Sequence, residues 1–232
     1  MGVSVRDLGP AYESILQEVL VGLQRSEKSL PPRLLYDTRG SELFEQICKL
    51  DEYYLTRTEL AIMESHSEEI AGLLGRDLLL IEYGSGSGQK TELLLEQLVE
   101  PAGYVPIDIS RDALAASALR LSAQHPGLEI LPVCADYTSP IELPVPSRLP
   151  ARRAVYFPGS TLGNFDHEDA RAFLRQVRTI AGATGRLVIG IDLVKDPRRL
   201  ERAYDDEEGI SAAFALNVLS RLNRELGANF QC

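Results

Sequence analysis

Three carboxylates, Glu82, Asp108 and Asp136, stand near the ends of three successive apolar runs, in LLLIEYGSGSGQKT, GYVPIDIS and LPVCADYTS. An acid at the carboxyl end of a strand can accept hydrogen bonds from a ligand lying on the sheet edge, or it can cap the helix that follows. Ser110 is available to cap a helix starting at 111, which leaves Asp108 for the two hydroxyls of a ribose. Asp136 is placed to accept from an adenine amino group while Tyr137 packs on the ring, and capping competes most strongly there. The first run carries more. Glu82 is followed by Gly84, Gly86 and Gly88, then by Lys90 and Thr91, which reads as a buried strand turning sharply so that bare backbone N–H groups face a ligand.

Three ligand chemistries compete for that turn. A phosphate cradle, G-x-x-x-x-G-K-[ST], matches Gly84, Lys90 and Thr91 but has Gln89 where the second glycine belongs, and Glu82 adds negative charge beside it. The dinucleotide fingerprint G-x-G-x-x-G loses its third glycine at the same position. The pattern acid-x-Gly-x-Gly-x-Gly fits Glu82 through Gly88 without a gap. An acid ahead of the turn suits a cationic ligand without phosphate. S-adenosylmethionine, with an ammonium and a sulfonium, is such a ligand, so the spacing favours a methyltransferase.

A fourth apolar run ends in AVYFPGSTLGNF, residues 154–165, where side chains should meet the methyl acceptor. Asn164 can hold an amine or a carboxylate without ionising, and Asp166 is the better cap for the helix beginning HEDARAF.

The elements that must position these residues alternate. Strands are expected at 78–83, 103–107, 129–133, 153–158 and 186–192, with helices at 89–99, 111–124 and 167–181. Strands separated by helices imply βαβ units and a parallel sheet covered on both faces. Ahead of them, residues 1–75 read as a helical preface. Its helices start at a Ser/Glu cap in SELFEQICKL and near Thr56 or Thr58, and 196–232 turns helical again from about Pro197 to Leu226. The expected division is therefore 1–75, 76–195 and 196–232.

Composition narrows the function further. A formal net charge of −10 over 232 residues argues against nucleic-acid binding, which needs a basic face. No run of uncharged apolar residues is long enough to span a membrane. Cys48, Cys134 and Cys232 lack zinc spacing and an even count, which suits a reduced, cytoplasmic setting. His66, His125 and His167 have no partners at ligand spacing, so no metal site is expected.

The words LLYDTRGSELFEQICKLDEYYLTRTE, IEYGSGSGQKT, YVPIDIS, ADYTS, FPGSTLGNF and VKDPRRLERAYDDEEGISAAFALNVLSRLNRELGANF together resemble the histidine-specific, S-adenosylmethionine-dependent methyltransferases. That family includes an enzyme forming the Nα-trimethyl betaine of L-histidine in ergothioneine biosynthesis. The resemblance implies a Rossmann-like class I methyltransferase sheet and cofactor contacts from Gly84, Lys90, Asp108, Asp136 and Tyr137. It also implies an amino-acid pocket of Tyr36, Tyr53, Gly159, Asn164 and Tyr204. Asn164 and Tyr204 would hold the α-carboxylate and amine, with Tyr53 toward the imidazole and amine. Taken alone, each tyrosine reads as structural, and of the adjacent Tyr53 and Tyr54 only one can enter a given pocket.

Transfer from a sulfonium is an in-line displacement on a neutral amine, so Tyr53 and Asn164 are the expected catalytic groups, through alignment rather than strong base chemistry. Family sheets end in an antiparallel hairpin that the sequence does not show after the fifth expected strand. The expectation is an open sheet edge, covered by a second chain or left in a non-catalytic remnant that binds the cofactor alone. Another amino acid or amine as acceptor is the remaining alternative.

Overall fold

The computed structural model describes residues 4–10 and 12–231. Among them, six strands form one all-parallel sheet in the order β1-β4-β3-β2-β5-β6. The strands are β1 (Arg6–Leu8), β2 (Leu78–Tyr83), β3 (Gly103–Asp108), β4 (Val133–Ala135), β5 (Arg152–Phe157) and β6 (Arg186–Ile189). The helices are α1 (Tyr12–Gln24), α2 (Thr38–Ile47), α3 (Tyr54–Leu74), α4 (Gln89–Leu95), α5 (Arg111–Gln124), α6 (His167–Ala181), α7 (Pro197–Tyr204) and α8 (Ile210–Leu226).

The central strand, β2, is buried along its whole length, as a continuous apolar run in a parallel sheet requires. Its side chains alternate between two cores. Leu78 and Leu80 join Met63, Ala71 and Leu74 of α3, Leu94 and Leu95 of α4, and Leu121 of α5. Leu79, Ile81 and Tyr83 join Val105, Val155 and Phe157, with Phe173 and Val177 of α6. From β2 the chain winds outward through β3 and β4, then returns to lay β5 and β6 on the other side. This reversal of strand order, between β2 and β5, is where ligands bind in sheets of this kind.

Two compact units result. One comprises residues up to Leu8 together with Leu55–Val194; the other comprises Gly9–Tyr54 together with the residues from Lys195 on. The expected boundary at 75 differs because α3 lends Met63, Ala71 and Leu74 to the sheet's core. In the second unit, Val19, Leu34, Val218 and Leu222 form a separate core. There Asp37, with its carboxylate nearly buried, accepts from Gly40 N, Asn217 Nδ2 and Arg224.

Several local expectations change. The helix expected to cap at a serine starts instead at Thr38, with Asp37 as its N-cap, and the next begins at Tyr54. The expected strand 129–133 contributes only a bridge from Ile130 to Tyr104 before β4 starts at Val133. The helix expected over 197–226 is two helices, because Gly209 takes a φ of 73° and Asp206 accepts from Ile210 N and Ser211 N to start α8. β1 was not foreseen at all.

Cys48 and Cys134 are free thiols, and Cys232 lies outside the described residues. Among the described residues no helix is long and apolar enough to cross a membrane.

Candidate active site

At the carboxyl end of β2, Gly84 and Gly86 take φ values of +73° and +48°, in the left-handed region that favours glycine. Gly84 N donates to Ile107 O at 2.8 Å, fixing the turn to β3. Asp108, at the end of β3, closes it: Oδ2 accepts from Gly86 N at 2.9 Å and Oδ1 from Ser110 N at 2.9 Å. Ser110 occupies the N-cap position of α5 without a side-chain cap bond. The expected division of labour is thus altered, since Asp108 itself serves the start of α5. Each carboxylate oxygen retains a second lone pair for a ligand hydroxyl. Burial raises the Asp108 pKa above its usual value, while the backbone N–H groups oppose that shift.

Beside the turn, a Cβ built on Gly84 would come 4.0 Å from the Tyr137 ring. Tyr137 is held among Tyr83, Phe157 and Phe173, with ring centroids 5.7, 5.7 and 6.1 Å away. Asp136 Oδ1 accepts from Thr138 N at 2.9 Å and Thr138 Oγ1 at 2.6 Å, the local turn-closing role that competed with ligand binding in the sequence.

Two expected cofactor contacts point elsewhere. Gly88 faces α5: a Cβ there would approach Arg120 Nη2 and Leu121 Cδ1 at 3.3 Å. Glu82 is 1% exposed. Alternation places it on the face of Leu78 and Leu80, beneath α4, where Thr91 Oγ1 donates to it at 2.6 Å and the Tyr104 hydroxyl also donates. Desolvation pushes its pKa up to about 7 despite those two bonds. Glu82 therefore ties β2, β3 and α4 together from inside the core rather than presenting a carboxylate at the surface of the turn.

At the carboxyl end of β5, Gly159 has φ +80° and a short 3-10 turn, Thr161–Asn164, follows. Asp166 caps α6, accepting from Glu168 N and Asp169 N, and Asn164 is exposed. Gly159 N donates to both oxygens of Glu59 at 2.9 Å, and Lys90 Nζ lies 2.5 Å from Glu59 Oε2. Glu59 is a residue the sequence reading missed. A signal existed: Glu59, Met63, Ser67 and Ala71 recur every four residues on α3, and the last three are buried.

In the second unit the three expected tyrosines share one aromatic cluster. Tyr53 meets Tyr204 edge-on with centroids 5.9 Å apart, Phe44 lies 6.2 Å from Tyr53 and 5.5 Å from Tyr36, and Phe214 lies 5.5 Å from Tyr36. Phe44 and Phe214 were also missed. Tyr54 packs separately, under Lys195 and Arg199 at 4.8 and 4.3 Å from its ring.

A parallel doubly wound sheet, with an acid-clamped glycine turn at its switch point and an aromatic shelf beside it, defines a Rossmann-like protein binding an adenosine-type ligand. Among solved structures, an O-methyltransferase family protein from Burkholderia thailandensis overlaps 89% of this chain and 55% of its own, at 16% identity and a TM-score of 0.48. The fold assignment rests on the strand order rather than on that overlap.

The chain belongs to the histidine-specific, S-adenosylmethionine-dependent methyltransferase family, whose model matches residues 15–232. It is 40% identical over 225 residues to the histidine N-alpha-methyltransferase of Mycolicibacterium smegmatis, covering 95% of this chain and 68% of that protein. The enzyme of the same name from Mycobacterium tuberculosis is 41% identical over 221 residues, covering 94% and 67%. Ergothioneine biosynthesis protein 1 of Neurospora crassa is 36% identical over 208 residues, covering 86% and 23%.

The residues present suit the family's cofactor. Gly84 leaves the gap to Tyr137 that a side chain would fill. The Ser85 hydroxyl, at the turn, is buried without a partner in the protein. Lys90 supplies a cation and Asp108 a clamped carboxylate. Gly84→Ala is expected to cost about 1 kcal/mol of fold stability through the left-handed backbone. It should also weaken cofactor binding roughly tenfold by filling the gap. Urea melts and calorimetry read the two effects separately.

Proposed function

We propose that this chain transfers methyl groups from S-adenosylmethionine to the α-amino nitrogen of L-histidine, giving the Nα-trimethylated product of ergothioneine biosynthesis. The observation that carries the acceptor is the 40% identity, over 95% of the chain, to a histidine N-alpha-methyltransferase. The acid-clamped glycine turn supports the cofactor side independently. The bound cofactor supplies an electrophilic methyl on a sulfonium.

The chain's part is binding and alignment. Asp108 accepts from the ribose hydroxyls, Tyr137 packs on the adenine with Asp136 at its rim, and Lys90 faces the anionic end of the amino-acid moiety. Gly84 and Gly86 let the backbone approach, while Gly88 and Glu82 hold the turn from behind. For the acceptor, Asn164 and Tyr204 hold the α-carboxylate and amine, with Gly159, Tyr36 and Tyr53 completing recognition. An amine attacks only when neutral, and neutral amide and phenol groups accept it in that form without adding charge. Rate then comes from holding nitrogen, carbon and sulfur in line.

The reading places the enzyme in the cytoplasm. A second chain along β6, an edge of the sheet, would be its partner, and light scattering of the purified protein tests for it.

Mass spectrometry of histidine incubated with the protein and S-adenosylmethionine tests the activity, and the expected product carries three added methyl groups. In the same assay Asn164→Ala is expected to weaken histidine binding roughly a hundredfold, through the loss of a charge-assisted contact to the α-carboxylate and a neutral one to the amine. Cofactor affinity measured by calorimetry should change less than about twofold. Unchanged histidine affinity would remove Asn164 from the site.

A further inference from the structure

Glu59 joins parts of the site that are otherwise separate. It projects from α3, and its carboxylate is the meeting point of three elements within the sheet-containing unit. Lys90, on α4, lies 2.5 Å from Oε2, with side-chain exposures of 22% for Lys90 and 16% for Glu59. Gly159 N, just past β5, donates to both oxygens at 2.9 Å. Gly190, just past β6, leaves the space in which the carboxylate sits: a Cβ there would come 2.2 Å from Oε1. A Cβ on Gly159 would in turn stand 3.8 Å from Lys90 Nζ, so the cation and the loop are neighbours across this one acid.

An exposed ion pair of this kind would contribute little, because water and salt screen it and holding two long side chains costs entropy. Here the pair is mostly withdrawn from solvent and a backbone N–H converges on the same carboxylate. Removing the acid leaves a partly buried ammonium and an N–H without their partner. The two groups it holds serve different ends of the reaction in the function proposed above, Lys90 the cofactor and the Gly159–Asn164 loop the acceptor.

We propose that Glu59 is a positioning residue that couples the two substrate sites. By fixing Lys90 and the Gly159 N–H with one carboxylate, it sets the alignment of methyl donor and amine. The inference rests on the methyl-transfer reading. A displacement that requires three atoms in line is sensitive to such a tie, since misplacement by about 1 Å can cost on the order of a hundredfold in rate.

The distinguishing signature is that Glu59 acts on both substrates whereas Lys90 acts on one. Cofactor Kd by calorimetry, KM for each substrate, kcat and melting temperature are measured for wild type, Glu59→Gln, Glu59→Asp, Lys90→Met and the Glu59→Gln/Lys90→Met pair. Glu59→Gln, which keeps an oxygen for Gly159 N but loses the negative charge facing Lys90, is expected to raise both KM values about fivefold or more and lower kcat at least roughly tenfold. Glu59→Asp should recover part of each loss. Lys90→Met should raise the cofactor KM and leave that of histidine within about twofold. For cofactor affinity the double variant should be no weaker than Lys90→Met alone, the non-additivity expected of groups that act as a unit.

Gly190→Ala provides an independent route. Its new methyl displaces the flexible end of Glu59 without changing the Lys90 side chain, and at 3.2 Å it also presses on Gly159 N, so it should reproduce the Glu59→Gln pattern with the larger share of the effect on the acceptor side. If Glu59→Gln proves too unstable to assay, Gly190→Ala and Glu59→Asp decide the matter. Additive effects in the double variant, or kinetics within twofold of wild type for both Glu59→Gln and Gly190→Ala, would overturn the proposal. A wild-type protein that binds cofactor yet methylates no histidine would remove the functional reading instead. Glu59 is then judged on cofactor affinity, where a Glu59→Gln effect that persists unchanged in the Lys90→Met background counts against it.

Discussion

Asp108→Ala is expected to lower S-adenosylmethionine affinity by more than about a hundredfold while the protein still folds. Two hydroxyl donors onto one carboxylate contribute roughly 1.5–3 kcal/mol each, and about 1.4 kcal/mol corresponds to a factor of ten. The loss extends beyond ligand contacts, because Gly86 N and Ser110 N both donate to this side chain. Without it the turn is no longer held open in its binding shape. Asp108→Asn, which retains one carbonyl acceptor, should fall between wild type and alanine. Calorimetric titration checks both, and an alanine variant whose affinity stays within threefold of wild type would show that the clamp does not serve the ligand.

The second large effect concerns stability against pH. Glu82 has its pKa raised from 4.5 to about 7, first by desolvation, with the Thr91 and Tyr104 hydroxyls opposing the shift. A carboxyl whose folded pKa lies above its unfolded one keeps its proton longer in the folded state. Below about pH 4.5 both states are protonated and the group makes no difference. Between about 4.5 and 7 the unfolded chain releases a proton that the folded chain retains, so stability falls as pH rises through that window and levels off above it. The span corresponds to about 3 kcal/mol at roughly 1.4 kcal/mol per unit. Urea unfolding from pH 5 to 8 should show this slope, and Glu82→Gln, which cannot ionise, should flatten it. An equal slope in both proteins would assign the pH dependence to other groups. Glu82→Leu should flatten the slope as well, and near pH 5 it should cost about 3 kcal/mol because it leaves the buried Thr91 and Tyr104 hydroxyls unpaired, a deficit that shrinks toward pH 8 as the wild type loses stability.

Much of the sheet was legible because its central strands are buried on both faces and bounded by glycine or acid. LLLIEY over 78–83 coincides with β2, and the helices at 111–124 and 167–181 coincide with α5 and α6. What escaped had weak local signals. β1 is three exposed residues, Arg-Asp-Leu, with neither alternation nor a hydrophobic run, and its strand character comes from pairing with β4. The break between α7 and α8 was written in DDEEG, where an acid precedes a glycine that adopts the left-handed backbone, but the helical period on either side concealed it.

At the site, the sharp glycine turn was readable from spacing, whereas the tie of Asp108 to Gly86 N and Ser110 N was not, because Ser110 looked the better cap. Glu82 was misjudged by treating a strand-end acid as surface, when counting by twos from Leu78 already placed it under α4. Glu59 required the opposite inference, an acid lying on the buried stripe of a helix. The tyrosine cluster stood out only through family resemblance, since nothing in the spacing of Tyr36, Tyr53 and Tyr204 says that they share neighbours.

The pairing of β1 with β4 also imposes an order in time. Arg6 lies opposite Val133, so one edge of the sheet is made more than a hundred residues ahead of its partner. At about 5–20 residues per second, the early segment waits on the order of ten seconds on the ribosome with no strand to join. Its exposed, charged composition suits that wait, since Arg6 and Asp7 give a stray strand little to adhere to. The sheet is therefore expected to grow outward from β2 and to add this margin only after β4 has joined β3, by a contact of long sequence separation of the kind that slows folding.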